Sequence, residues 1–136
     1  MLSQSDIFAP MVIQMIMMIL IAFWLVWARV GSVMLKKVDM RDVAKNGWQG
    51  WMKNAGDNFD NQYQLPLLFF AVCFLLYITK SVTDVSVLLA WGFVASRIAH
   101  AAVHLTVNHI MTRFIFFLIG ALALTALVVQ AALAVL

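Results

Sequence analysis

The residues best suited to chemistry lie in one stretch, Arg97-Ile-Ala-His100-Ala-Ala-Val-His104-Leu-Thr-Val-Asn108, closed by Arg113. At about 100° per residue on an α-helix, Arg97, His100, His104 and Asn108 fall within a sector of roughly 80° and share one face. A guanidinium grips a carboxylate through parallel N–H donors, and a neutral imidazole donates or relays a proton near neutral pH. The intervening Ile98, Ala99, Ala101, Ala102, Val103 and Leu105 are apolar. An ionisable group at membrane depth costs at least about 2.5 kcal/mol unless it is paired or hydrated. The face therefore reads as a site on a bundle interior or aqueous cavity, or alternatively as a helix end whose cations reach headgroups.

A second polar cluster, Asn58, Asn61 and Gln64, precedes Pro66. Asn61 and Gln64 are three apart and share a helix face, as interhelical glue or as part of a ligand site. Arg29 lies near the end of the first apolar stretch, where it snorkels to the surface or turns into the bundle to meet an anion.

The elements that must carry these residues follow from composition. Of 136 residues 65% are hydrophobic and 11% charged, and the mean hydropathy is +0.96. That places the chain outside soluble domains and makes it an integral membrane protein. The expected fold is all-α, a single transmembrane domain over residues 1–136 with helices at about 10–35, 58–79, 85–107 and 112–136, forming a four-helix bundle. The polar lead over residues 1–9 lacks the charged start of a signal peptide. Pro10 opens the first span, and Pro66 is expected to kink the second.

Lys36, Lys37, Arg41, Lys45 and Lys53 concentrate positive charge in loop 36–57. By the positive-inside rule this loop and loop 106–112 are cytoplasmic, with both termini on the opposite side. Trp48 and Trp51 suggest that the loop lies along the membrane as a short amphipathic turn. Four alternating spans then bring Arg29, the Asn58–Gln64 cluster, the Arg97–Asn108 face and Arg113 to the same membrane end.

Several functions are disfavoured. The basic residues form no groove with interleaved aromatics, so nucleic acid is not an expected partner. Cys73 sits in an apolar helix, where a thiol is a poor nucleophile. The chain contains no Glu, which leaves paired-carboxylate catalysis to Asp residues in or near loops. His100 and His104 have the i,i+4 spacing of a helical metal-ligand pair, but no Cys or carboxylate accompanies them, and no metal is expected.

Arg97-x-x-His100-x-x-x-His104, Asn108 and Arg113, preceded by Asn61-Gln-Tyr-Gln64-Leu-Pro66, resemble the membrane-associated proteins in eicosanoid and glutathione metabolism, the MAPEG family, and in particular its bacterial branch. The resemblance covers nearly the whole chain. It implies a homotrimer of four-helix bundles in a bacterial inner membrane, surrounded by lipid. Glutathione would bind as co-substrate between subunits near the cytoplasmic side, for a transferase or peroxidase acting on apolar electrophiles in the bilayer. On this reading Arg97, His100, His104, Asn108, Asn61, Gln64, Asn58 and Arg29 surround the substrates, and Arg113 assists the thiolate as the catalytic residue.

This chain departs from the family pattern at three positions, with Gln64 in place of Glu, Asp57 in place of Arg and His104 in place of Tyr. An ammonium group facing Gln64 loses a charged partner and roughly half the strength of that contact. The alternative function is a non-catalytic module that binds a lipid or a partner protein.

Overall fold

The computed structural model describes residues 3–136; Met1 and Leu2, the start of the polar lead, lie outside them. The described residues form the helices α1 (Gln4–Met34), α2 (Met40–Asn46), α3 (Gly50–Asn61), α4 (Leu65–Ile78), α5 (Asp84–Leu105) and α6 (Ile110–Val135). No strand occurs among the described residues. Four stretches are long and apolar enough to cross a membrane: α1, α3 with α4 (Gly50–Ile78), α5 and α6. Large hydrophobic side chains cover their outer faces, among them Leu20, Phe23, Leu88, Leu122 and Leu133. Such a surface is stable in lipid and not in water.

Local chemistry explains the ends. The Asp6 carboxylate accepts hydrogen bonds from the Ser3 N–H at 2.6 Å and the Ser3 hydroxyl at 3.0 Å. The polar lead thereby becomes a capped first turn, and α1 begins before Pro10. Thr83 and Ser86 cap α5 reciprocally, the Asp39 side chain accepts from the Arg41 N–H at the start of α2, and His109 accepts from the Thr112 N–H at the start of α6. Each supplies an acceptor for a backbone donor that has no partner within its helix.

Two parts of the fold differ from expectation. The second span is not one helix kinked at Pro66, because α3 ends at Asn61 and a new helix starts at Leu65. Pro66 lies in the first turn of α4, where its missing N–H costs nothing. The expected loop 36–57 is largely helical, containing α2 and the first two turns of α3.

The Gln4 side chain donates to the Val82 carbonyl at 2.9 Å and accepts from the Val82 N–H at 3.0 Å. This fastens the start of α1 to the α4–α5 turn at one end of the bundle. Toward that end the core is apolar, formed by Ile7, Met11, Phe69, Cys73, Leu76, Phe93 and Leu127. Phe69 and Phe93 stack there at 4.5 Å. Toward the other end the buried side chains turn polar: Gln14, Asn58, Gln62, Arg97, His100 and His104. A bundle core that is apolar in one half and polar in the other has a built direction, and the polar half carries the site.

Candidate functional site

Arg97 is only 1% exposed and His104 likewise, with His100 at 4%. The face read from the sequence therefore points into the bundle and not toward headgroups. Arg97 Nη2 donates to the Asn61 carbonyl at 3.0 Å. Asn61 is the last residue of α3, so the guanidinium supplies a donor to an orphaned helix-end carbonyl and sits at the negative end of that helix dipole. The break between α3 and α4 is tolerable at membrane depth because of such partners.

The second buried arm is made of amides. Gln62 Nε2 donates to the Asn58 backbone and side-chain oxygens, both at 3.3 Å. Gln14 Nε2 reaches Gln62 Oε1 at 3.4 Å, and Asn58 Nδ2 reaches the Ala101 carbonyl at 3.5 Å. Gln14 and Gln62 are site-forming residues that sequence reasoning missed. Their signal is a lone amide in the apolar first span and an Asn58–Gln62 pair at i,i+4 spacing, but only helix docking brings the two together.

Outside this buried layer, Arg113 is half-buried on α6. Its Nη1 donates to Asn108 Oδ1 at 2.7 Å, and Asn108 Nδ2 in turn reaches Asn54 Oδ1 on α3 at 3.4 Å. Asn108 has φ +48°, a left-handed conformation that Asn tolerates better than most residues. It therefore orients Arg113 from the turn, no longer sharing the helical face with Arg97.

A cleft of about 260 Å³ opens against Arg113, lined by Asn61, His100, Ile110, Phe114 and Phe117. It combines one guanidinium, one imidazole, one amide and two phenyl rings. No carboxylate lies within ion-pairing distance of Arg97 or Arg113 among the described residues, where Asp57 is engaged by Lys53 at 2.6 Å. The local charge is positive and uncompensated, and Nε of both arginines and Nδ1 of both histidines are buried without a hydrogen-bond partner. The unpartnered guanidinium N–H groups favour an anionic or acceptor-rich guest.

The expected residues separate accordingly. Asn61, His100 and Arg113 line the cleft; Arg97, Asn108, Asn58 and His104 stand behind it in contact with those residues or buried in the same half of the core. Gln64 does not face Asn61, because the chain leaves helical geometry at Gln64 (φ −91°, ψ −100°) and the side chain is exposed. Arg29 is also elsewhere: its guanidinium lies 4.9 Å over the Trp48 ring and against Gly56, where a Cβ would collide with it. The π-helical turn Trp27–Gly31 widens α1 at this residue, a distortion that re-aims side chains. The His100 and His104 rings stand edge to face at 6.0 Å, and the described residues include no group of three His, Cys, Asp or Glu able to hold a metal ion.

Comparison with curated proteins and with solved structures gives no match. A family model described as the MAPEG family does match, over residues 7–133. With nearly its whole length covered, and with four membrane-spanning helices in the expected order, this integral membrane protein belongs to the MAPEG family.

Proposed function

We propose that the protein is a thiol-dependent transferase or peroxidase that binds glutathione or a similar anionic thiol in the Asn61–His100–Arg113 cleft. The observation that carries this reading is the Arg113 guanidinium, oriented by Asn108 at 2.7 Å and lining a cleft that also holds two phenyl rings. Next to a fixed cation the thiolate is favoured over the thiol, which generates the nucleophile at neutral pH. The His100 imidazole, in the same cleft, relays the released proton outward.

The thiolate sulfur then attacks an apolar electrophile that enters from lipid and lies on Phe114 and Phe117. With an aryl halide, a carbon–sulfur bond forms and halide leaves. With a lipid hydroperoxide, two thiols are oxidised to a disulfide as the peroxide is reduced to alcohol and water.

The same proposal includes a homotrimer in a bacterial inner membrane, with the basic connection cytoplasmic. Ile110 and Phe114 at the mouth of the cleft are 79% and 56% exposed, and a neighbouring subunit would cover them.

A non-catalytic module that retains a lipid or a partner is the second reading, favoured by the position of Gln64 outside the cleft. Turnover of an aryl halide by purified protein with glutathione separates the two. The enzyme reading predicts a loss on the order of 10²-fold for Arg113→Ala. A detected activity that Arg113→Ala leaves unchanged, or no activity with any thiol, would favour the module.

A further inference from the structure

Helix α2 contributes nothing to the bundle core, since none of its residues is buried. It is nonetheless tethered on both sides, to a span that ends at Met34 and to one that starts at Gly50, and so it cannot leave the membrane surface. The nearby rings of Trp24, Trp27 and Trp51, 5.1 to 6.3 Å apart, form an aromatic cluster of the kind that sits at headgroup level. Along α2, Met40, Val43 and Ala44 fall on one side, and Arg41 and Lys45, four apart, on another. Met34 and Leu35, which precede this segment, are exposed as well.

The cations are free for an external partner. Among the described residues Lys36, Lys37, Arg41 and Lys45 are exposed and take part in no side-chain ion pair or hydrogen bond, in contrast to Lys53, which is held by Asp57. Hollows of about 230 and 380 Å³ flank α2; Lys37 lines one together with Asp39 and Asp42, and Lys36 lines the other together with Asp39, so that segment 36–45 keeps a net positive charge from four cations against two carboxylates.

We propose that α2 and the turn before it are a docking surface for anionic phospholipid, whose headgroup phosphates sit among Lys36, Lys37, Arg41 and Lys45. The apolar side of α2 rests on the glycerol and acyl boundary of the same leaflet. A zwitterionic headgroup carries its own cation beside the phosphate and gains less here. The apolar side and the double tether favour lipid over a soluble acidic protein. The proposal stands apart from the thiol reading, because none of these residues lines the cleft.

The test uses the whole protein reconstituted in nanodiscs of mixed phosphatidylglycerol and phosphatidylcholine, with retained lipid identified by native mass spectrometry. Each basic side chain near an anionic leaflet is worth about fivefold in partition. Wild type is therefore expected to retain phosphatidylglycerol over phosphatidylcholine by about tenfold or more. The combined variant Lys36→Gln, Lys37→Gln, Arg41→Gln and Lys45→Gln is expected to retain the two nearly equally.

Wild type in rising salt gives an independent readout that does not depend on the variant folding. Between about 0.01 M and about 1 M salt the Debye length falls from roughly 30 Å to roughly 3 Å, and the preference should collapse. A wild type without preference, a preference that survives either the variant or the salt, or capture of an acidic peptide in place of lipid would each overturn the proposal.

Discussion

At the scale of the residue, two arginines sixteen positions apart divide the labour. Arg97 is buried and satisfies a helix end; Arg113 is half-buried and faces the cleft. Asn108 connects the second of these to α3 through Asn54. This arrangement predicts the behaviour of Asn108→Asp, which keeps the left-handed backbone and an acceptor for Arg113, gives up the long 3.4 Å donation to Asn54, and adds a negative charge beside the guanidinium. The KM for an anionic thiol should rise about tenfold, in steady-state kinetics across thiol concentration, with little change in thermal stability. An unchanged KM would mean that Arg113 does not meet the anion.

The Arg97 face was legible in sequence because polar groups at helical spacing in an apolar stretch are too costly in lipid unless they share an interior. The destinations of Gln64 and Arg29 were not. One depends on where α3 stops and the other on a π-helical turn, and neither leaves a mark in residue spacing.

At the scale of the element, α5 and α6 form the most extensively packed helix pair. Gly120 on α6 is buried against α5, where a Cβ would lie 2.6 Å from Ser96 Oγ. That hydroxyl is held by the Phe93 carbonyl at 2.6 Å and cannot yield without losing its bond. Small residues at such crossings let helices approach closely in lipid. Gly120→Ala should destabilise the protein by about 1–3 kcal/mol, and Ser96→Ala in the same chain should restore much of that loss. Denaturation in detergent measures both; equal stability of the Gly120→Ala variant and wild type would contradict the contact.

The four spans were readable from hydropathy, because lipid demands about twenty apolar residues per crossing. The division of the second span into α3 and α4 was not, because Pro66 fits a kink and a helix start equally well until the partners of the freed backbone groups are known. Helix α2 was legible only as an amphipathic turn, since so short a run of residues is too brief for a secure period.

At the scale of the whole molecule, the bundle has one apolar half, fastened by Gln4 at the α4–α5 turn, and one polar half that ends in a cleft. Hydropathy alone could not reveal that polarity, which depends on Gln14 of α1 meeting the Asn58–Gln62 pair, far from it in sequence. The same arrangement accounts for uncompensated positive charge inside a membrane protein: a polar interior pocket is where such charge has a use.

The central claim is that this pocket binds an anionic thiol through Arg113. Its most direct test is thermal unfolding of the purified protein in detergent with and without glutathione, for wild type and Arg113→Ala. At about 100 times its dissociation constant the ligand should add about 2.7 kcal/mol to the stability of wild type, and the variant should gain far less at the same concentration. No stabilisation of wild type, or equal stabilisation of both proteins, would contradict it.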